Sequence, residues 1–294
     1  MGSAKLKRIA VLTGCLLAAL QGCIHIPGPY LVGGPQTGPE TVALVRPCEP
    51  GLLVRLPEDI TGEASALDPE GFSLMNWNML KGWRQGWEKD FNRLGRGSDV
   101  ILLQEAYLTD ELRQALRSAQ MNWHLATAFR YRGIEAGVLT ASEITPQVIC
   151  MQRFKEPLLN TPKTSLFARF SIAFQRPRLM IVNVHAINYT MDMDDYRRYW
   201  QELETILESH DGPLIVAGDF NSWSAQRFDI VVDTARRLGL QPVRFDPDRR
   251  TRILGRVVDH VYYRGLVLLK ASVYEVTTSD HNPMRVDFKL ADAR

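Results

Sequence analysis

The sequence predicts an α/β chain of mixed type, two sheets stacked as a sandwich with helices on their outer faces. Short β-rich runs recur from Phe72 to Leu290, some spaced like hairpins and others separated by helical stretches, and that alternation argues against a purely parallel sheet. With 294 residues, 45% of them hydrophobic, the chain can bury a sizeable core, and two-layer α/β folds of about 200–250 residues commonly form one domain. No internal repeat recurs at a fixed period.

The first 22 residues stand apart. Lys5, Lys7 and Arg8 precede the apolar run Ile9 to Leu20, and Gln21-Gly22-Cys23 follows, the layout of a bacterial signal peptide. The run is too short to span a bilayer comfortably. Leu20-Gln21-Gly22-Cys23 resembles the lipobox of bacterial lipoproteins, although Gln21 stands where a small residue is more usual. Leu12-Thr13-Gly14-Cys15 fits that box better but follows only a few apolar residues. Cys23 is therefore expected as a lipidated N-terminus that holds the protein on a membrane of the bacterial cell envelope, facing the periplasm. A signal anchor and a secreted protein are the alternatives.

Residues 24–50 carry Pro27, Gly28, Pro29, Gly33, Gly34 and Pro35 among further Pro and Gly, so 23–50 reads as a flexible tether to a domain spanning 51–294. Residues 51–70 are expected on the edge of that domain. The runs that follow are short and rich in β-branched, aromatic and aliphatic residues, and each reads as a strand. They are Phe72–Trp77, Val100–Leu103, Trp123–Phe129, Gly137–Thr140, Gln147–Arg153 and Ser165–Phe174. Leu179–Val184, Leu214–Ala217, Val257–Tyr263, Ala271–Val276 and Met284–Leu290 complete the set. Thr109-Asp110-Glu111-Leu112 is a capped helix start, Asp192 to Glu208 puts Tyr196, Tyr199, Trp200, Leu203 and Leu207 on one face, and a third helix covers Ala225 to Leu238.

Charge and cysteine content narrow the function classes. Removing residues 1–22 takes three basic and no acidic residues, so 35 basic against 33 acidic becomes 32 against 33, a net charge of about −1. That counts against a protein holding nucleic acid by bulk charge. Locally, Arg236, Arg237, Arg244, Arg249, Arg250, Arg252 and Arg256 face only Asp246 and Asp248 in the loop, a segment suited to a polyanion or to solvent. Lipidation of Cys23 leaves Cys48 and Cys150, which a periplasmic location permits to pair and spacing does not decide. No C-x-x-C, no zinc-spaced Cys/His cluster and no Ser-centred nucleophile elbow occurs, so zinc chemistry and acyl transfer lack motif support.

Polar residues break or end the apolar strands repeatedly. Asn76-Trp77-Asn78 closes the first; Gln104-Glu105 closes Val100–Leu103; Asn183-Val184-His185-Ala186-Ile187-Asn188 closes Leu179–Val182. Gly218-Asp219-Phe220-Asn221, Val257-Val258-Asp259-His260-Val261 and Ser279-Asp280-His281-Asn282-Pro283 follow. Each alone is compatible with a turn, a cap or a satisfied core group. Together they supply carboxylates, carboxamides and imidazoles in quantities a core does not need. Asp219 and Asn221, two residues apart on extended chain, project together from a strand end, where α/β sheets place their chemistry.

The order Asn, Glu, His/Asn, Asp/Asn, Asp, Asp-His resembles the endonuclease/exonuclease/phosphatase superfamily, which includes DNase I-like nucleases, inositol polyphosphate phosphatases and neutral sphingomyelinases. The resemblance covers about Phe72 to Leu290. It implies a four-layer α/β/β/α sandwich and a divalent cation, Mg²⁺ with Mn²⁺ as an alternative, held by Glu105 with Asn78 beside it and Asp280 helping to hold the site. A hard cation of this kind takes oxygen ligands and keeps several waters. Asp219 is implied as general base or water anchor, with Asn221 on the scissile phosphate. His281 is implied beside the phosphate, oriented and kept cationic by Asp259. His185 and Asn188 match a His-x-x-Asn segment that contacts phosphate oxygens, the histidine being discussed in several members as a general acid. His260, by alternation from Asp259, points to core or surface. Thr140-Ala141-Ser142-Glu143 departs from the Leu-Ser-Arg segment of many members, which puts a substrate-side or structural contact in doubt.

The resemblance thus implies a Mg²⁺-dependent phosphoesterase acting on phosphodiester bonds, with a nuclease first among subtypes. The arginine-rich segment suits nucleic acid, and Trp83 and Trp87 suit base stacking or, equally, packing. Phospholipid or nucleotide hydrolysis is the alternative substrate reading, and a catalytically silent envelope module the alternative class. Loss of one key side chain would favour the latter, and none is lost. A monomer is expected.

Overall fold

Apolar alternation becomes strand pairing in the computed structural model, which describes residues 24–36, 38–44, 47–49, 66–159, 161–173, 178–190 and 192–291. The strands in chain order are β1 (Ile24–His25), β2 (Tyr30–Gly34), β3 (Thr41–Leu44), β4 (Phe72–Asn78), β5 (Val100–Tyr107) and β6 (Asn122–Tyr131). Next come β7 (Ile134–Ser142), β8 (Val148–Phe154), β9 (Lys163–Phe170), β10 (Leu179–His185), β11 (Leu214–Asp219) and β12 (Gln241–Pro242). The last are β13 (Arg252–Ile253), β14 (Arg256–Val257), β15 (Asp259–Arg264), β16 (Leu266–Val273) and β17 (Met284–Leu290). The helices are α1 (Trp87–Gly95), α2 (Asp110–Ser118), α3 (Met193–Leu207) and α4 (Ala225–Arg237).

A nine-stranded sheet runs β16-β17-β4-β5-β7-β6-β2-β3 with β1 on β6, and a six-stranded sheet runs β12-β15-β11-β10-β9-β8. β4 with β5 and β10 with β11 pair in parallel, each within an otherwise antiparallel sheet, so both sheets are mixed as expected. Their inner faces meet in one buried cluster, in which Leu74, Val100 and Leu102 share the core with Phe167, Val182 and Val184. Alternate residues Met75, Trp77, Ile101 and Leu103 turn outward onto Phe91, Leu94, Leu112 and Leu116 of α1 and α2. On the other side α3 and α4 bury Tyr199, Trp200, Leu203 and Val231. The layers are α/β/β/α.

The three foreseen helices are present, and Thr109 caps α2 as expected, accepting from Leu112 N (3.4 Å); Asp192 and Ser224 cap α3 and α4, accepting from Asp194 N (2.9 Å) and Arg227 N (3.2 Å). α1 lacks such a signal, since its N-cap is Gly86 in left-handed conformation with no side-chain bond. Two strand expectations shift. Val257–Tyr263 breaks at Val258 into β14 and β15, and the run expected at Ala271–Val276 lies at Leu266–Val273.

The tether expectation is corrected for the described residues of 24–49. Tyr30, Leu31 and Val32 are buried, β2 pairs with β6, and β3 pairs with β2. Gly34 is no spacer here; a Cβ on it would run into the Trp123 ring, so glycine is what lets the two strands close. Cys48 and Cys150 are disulfide-bonded, their Cα atoms 5.4 Å apart, which fastens this segment to β8. Residues 1–22, Cys23 and 51–65 lie outside the described residues. Among the described residues no helix is long and apolar enough to cross a membrane.

Candidate active site

Three strands of the smaller sheet line up their catalytic candidates in register. His185 at the end of β10 lies opposite Asp219 at the end of β11, and Asp219 lies opposite Asp259 at the start of β15. Cross-strand partners share a face, so imidazole and two carboxylates project together between the sheets. Gly218 has φ 146°, and a Cβ there would strike the Val184 carbonyl, so only glycine lets β10 and β11 meet this closely before Asp219. The larger sheet answers from the other side. β5 carries a register shift between Leu103 and Ala106, and Glu105 has φ 49°, a bulge that re-aims its carboxylate.

The side chains form a continuous chain of contacts. Glu105 Oε1 lies 4.0 Å from His185 Nε2, which lies 3.6 Å from Asp219 Oδ2. Asp219 Oδ2 also accepts from Asn78 Nδ2 (3.0 Å) and lies 4.0 Å from His281 Nε2, while its Oδ1 accepts from Asn221 N (3.0 Å). His281 Nδ1 donates to both Asp259 oxygens, at 3.0 and 2.8 Å. Asn221 Nδ2 donates to the Ala186 carbonyl (2.9 Å), which turns its Oδ1 away from that loop. Two expected residues stand at the margin. Asn188 Oδ1 is held by Trp223 Nε1 (2.8 Å), and Asp280 is exposed, accepting from Ser279 Oγ (3.4 Å).

Electrostatics divide the two histidines. Burial pulls His281 down, but the charge and hydrogen bond of Asp259, with Asp219 and Asp280 behind, outweigh it and raise the imidazole to about 10. His281 is therefore a cation at neutral pH. Burial pushes His185 down to about 3, and the Lys163 ammonium, whose Nζ is 2.8 Å from Nε2, adds to that fall. Burial lowers Lys163 as well, against the pull of Glu105 and Asp219, and while its ammonium donates to Nε2, His185 accepts there as a neutral imidazole. Proton donation from His185, part of the general-acid expectation, has no support in this arrangement at neutral pH. Burial works to raise Glu105, but the Lys81 and Lys163 ammoniums, Lys81 through a hydrogen bond as well, overcome it and hold the carboxyl below its usual range.

Lys81 and Lys163 were missed in the sequence. Lys81 pairs with Glu105 Oε2 from a loop residue at φ 59°, and nothing in a lone lysine after Asn78 announces that. The donor chemistry nonetheless fits a hard cation: Glu105 offers carboxylate oxygen, and Asn78, Asp219 and Asn221 offer more oxygen nearby. Asp219, Asp259 and His281 also bring ligand atoms within 4.8 Å of one another. Both Asp259 oxygens face His281 Nδ1, however, so this trio is better described as an oriented histidine beside a carboxylate.

Beneath the site, Gln104 Nε2 donates to Asn76 Oδ1 (2.9 Å) and Asn183 Oδ1 (2.7 Å), an amide link between the sheets. Beside it the buried Arg227 clamps both asparagine loops. Its guanidinium donates to the carbonyls of Ile187 (2.9 Å), Asn188 (2.7 Å) and Asn221 (3.2 Å) and to Thr190 Oγ1 (2.9 Å). Each acceptor left unpaired costs roughly 1–3 kcal/mol, so Arg227→Met is expected to lower the unfolding free energy by about 3 kcal/mol or more in urea denaturation. An unchanged midpoint would refute the clamp.

Trp87 is buried against Phe91, which removes it as a stacking platform, whereas Trp83 is 62% exposed with the Lys81 ammonium 4.5 Å from its ring. His260 turns away as expected, bonded to Ser222 Oγ at 2.8 Å. Ser142, beside the departing Glu143, pairs with Val100 at the start of β5, the end remote from Glu105. That departure does not touch the site.

Comparison with known proteins follows the same lines. A family model described as endonuclease/exonuclease/phosphatase family matches residues 75–281. A UPF0294 protein of Vibrio parahaemolyticus is 38% identical over 231 residues, covering 78% of this chain and 82% of the relative. A UPF0294 protein of Yersinia pestis is 38% identical over 213 residues, covering 72% and 82%. Among solved structures, an endonuclease/exonuclease/phosphatase from Beutenbergia cavernae superposes with a TM-score of 0.61 at 14% identity, covering 76% of this chain and 72% of that one. The human Nocturnin catalytic domain with bound sulfate gives 0.57 at 17% identity, covering 77% and 96%. These structural likenesses concern the fold.

Proposed function

The chain belongs to the endonuclease/exonuclease/phosphatase family, and we propose on that footing that it is a divalent-metal-dependent phosphodiesterase using Glu105, Asp219 and His281. The observation that carries this reading is the cationic His281, fixed by Asp259 and set across Asp219 from the anionic Glu105. Glu105 with Asn78 would hold Mg²⁺ or Mn²⁺, which when bound supplies Lewis-acid polarisation of a phosphoryl oxygen. A cation at Glu105 competes with the Lys81 ammonium for Oε2. Asp219, aligned by Asn78 Nδ2 and the Asn221 amide, positions a water for in-line attack on phosphorus and draws on its proton, while the P–O bond opposite the water breaks and the departing alkoxide takes up a proton from solvent. His281 Nε2 faces the phosphate and stabilises the negative charge that grows on it. Neutral His185, braced by Lys163, places a polar wall beside that charge.

Nucleic acid is the proposed substrate. Thr251, at the head of the arginine-rich hairpin, accepts from Asn282 N (2.9 Å) and donates to the Asp280 carbonyl (3.3 Å), and Asn282 Nδ2 donates to the Arg249 carbonyl (2.7 Å), so Arg249 borders the site. Exposed Trp83 offers a stacking face beside Lys81. A phospholipid head group is the second reading, favoured by Leu158, Leu159, Tyr189 and Leu254, exposed apolar side chains on loops at the same end of the sandwich.

Purified residues 24–294 assayed with Mg²⁺, Mn²⁺ or EDTA against plasmid DNA, RNA, phospholipid vesicles and bis-p-nitrophenyl phosphate test this. Hydrolysis of at least one that EDTA abolishes is expected. Silence across the panel would favour a binding module. We also propose an envelope location with a lipid anchor at Cys23; the disulfide supports the oxidising compartment, and the lipobox-like Leu20-Gln21-Gly22-Cys23 supports the anchor. Cys23→Ala is expected to release the protein from membranes, and retention of a mature-size variant would dismiss the anchor.

A further inference from the structure

We propose that a cavity behind the catalytic strand is a second ligand site, taking a small organic phosphate whose anionic head lies among arginines and whose apolar or aromatic body lies on the floor. The cavity, about 720 Å³, lies between α4, the segment after it and β15. Small-molecule sites commonly enclose about 300–1,000 Å³. Phe228, Val232, Phe245, His260 and Tyr262 form its apolar side. His260 is anchored by Ser222, and burial, with Arg250 adding to it, pushes its imidazole down to about 3, so the floor carries no charge.

The rim is strongly one-signed. Arg236, Arg244, Arg250, Arg252 and Arg256 line it with one carboxylate, Asp248. Asp248 is spent on Arg250 (2.9 Å) and Arg252 (3.2 Å), and Arg236 pairs with Asp233 (3.0 Å). Arg244 and Arg256 have no side-chain partner among the described residues and are exposed. Guanidinium forks bind phosphate oxygens in pairs, and an aromatic floor receives a ring or an acyl chain. A concave apolar floor under the cations distinguishes this open cleft from a solvated charge run and from a flat nucleic-acid surface. It is also separate from the hydrolytic site, because Asp259 and His260 alternate across β15 and face opposite sides.

Calorimetric titration of the full chain in EDTA, which holds hydrolysis off, tests the site with adenosine 5′-monophosphate, dihexanoyl phosphatidic acid and inorganic phosphate. Saturable binding of one organic phosphate is expected, at least tenfold tighter than inorganic phosphate, and whichever binds tighter distinguishes a nucleotide from a lipid source. Arg244→Glu with Arg256→Glu should weaken it at least tenfold, Val232→Trp should abolish it by filling the cavity, and Glu105→Ala should leave it unchanged. The charge reversals are exposed and decide the matter if the tryptophan variant fails to fold. No saturation, equal affinity for inorganic phosphate, indifference to the reversals, or loss in Glu105→Ala would each overturn the site. Since the readout is binding, a chain that hydrolyses nothing can still pass.

Discussion

Asp219→Ala is expected to drop hydrolysis of bis-p-nitrophenyl phosphate to near background, a loss of about 10²–10⁴-fold, the range typical of a positioned acid or base. The expectation rests on how many groups converge on one carboxylate. Asn78 and Asn221 hold its two oxygens, and both histidines point at it within 4.0 Å. Removing it releases the water anchor, leaves the buried Asn78 amide without its acceptor and takes a negative charge from beside the cationic His281. Glu105→Ala and His281→Ala should fall to similar levels, and combining them should add little, because residues acting as one unit lose their effect together. Circular dichroism and urea denaturation must show the variants folded. Wild-type turnover in all three folded variants would remove the site assignment.

Asp259→Asn is expected to change the pH profile more than the folded structure. With His281 raised to about 10, the wild-type cation persists through neutral pH, so the rate should show no break near 6.5 from this group. The variant loses the charge that holds the proton, and burial, the largest influence on His281, then drives its pKa down. Above the new value the cationic fraction falls tenfold per pH unit, so the deficit should be far larger at pH 8.5 than at pH 5.5. Stability follows the same sign. A histidine raised from an unfolded value of about 6.5 contributes stability fully present below that pH and lost as pH rises through about 10. The alkaline loss of stability should shrink in Asp259→Asn. A deficit equal at both pH values would mean that Asp259 does not set the charge of His281.

Much of this arrangement was legible in the sequence for a physical reason: local signals are strong where chain and side chain decide together. The cap at Thr109 marks a helix start with a hydroxyl that bonds the first turn, and the apolar face from Tyr196 to Leu207 marks a second helix. Polar residues breaking apolar strands at Asp219, His185 and Asp259 announced groups that a core does not want, and the structure sets them side by side. What stayed hidden depends on long-range contact. Tyr30-Leu31-Val32 sits inside the Pro/Gly-rich stretch that reads as a tether, and its pairing partner, β6, lies far along the chain. Lys163 opens a strand like any solvated lysine, and only the fold turns its ammonium onto His185. Glu105 was recognised as a ligand, yet the bulge that aims it is a matter of register between strands.

Several contacts of the site also join one sheet to the other. Asn78 reaches from β4 to Asp219, Glu105 from β5 to His185, and Asp259 on β15 to the segment entering β17, with Gln104 and Asn183 linked beneath. Mechanically the site is a clasp between two plates, and its geometry gauges their slip. A slide of one residue step, about 3.3 Å, would part all of these pairs at once and leave each sheet's own ladder intact. A loosening too slight to alter secondary structure would thus be felt first as lost turnover, making the rate itself the most sensitive probe of how the two plates sit.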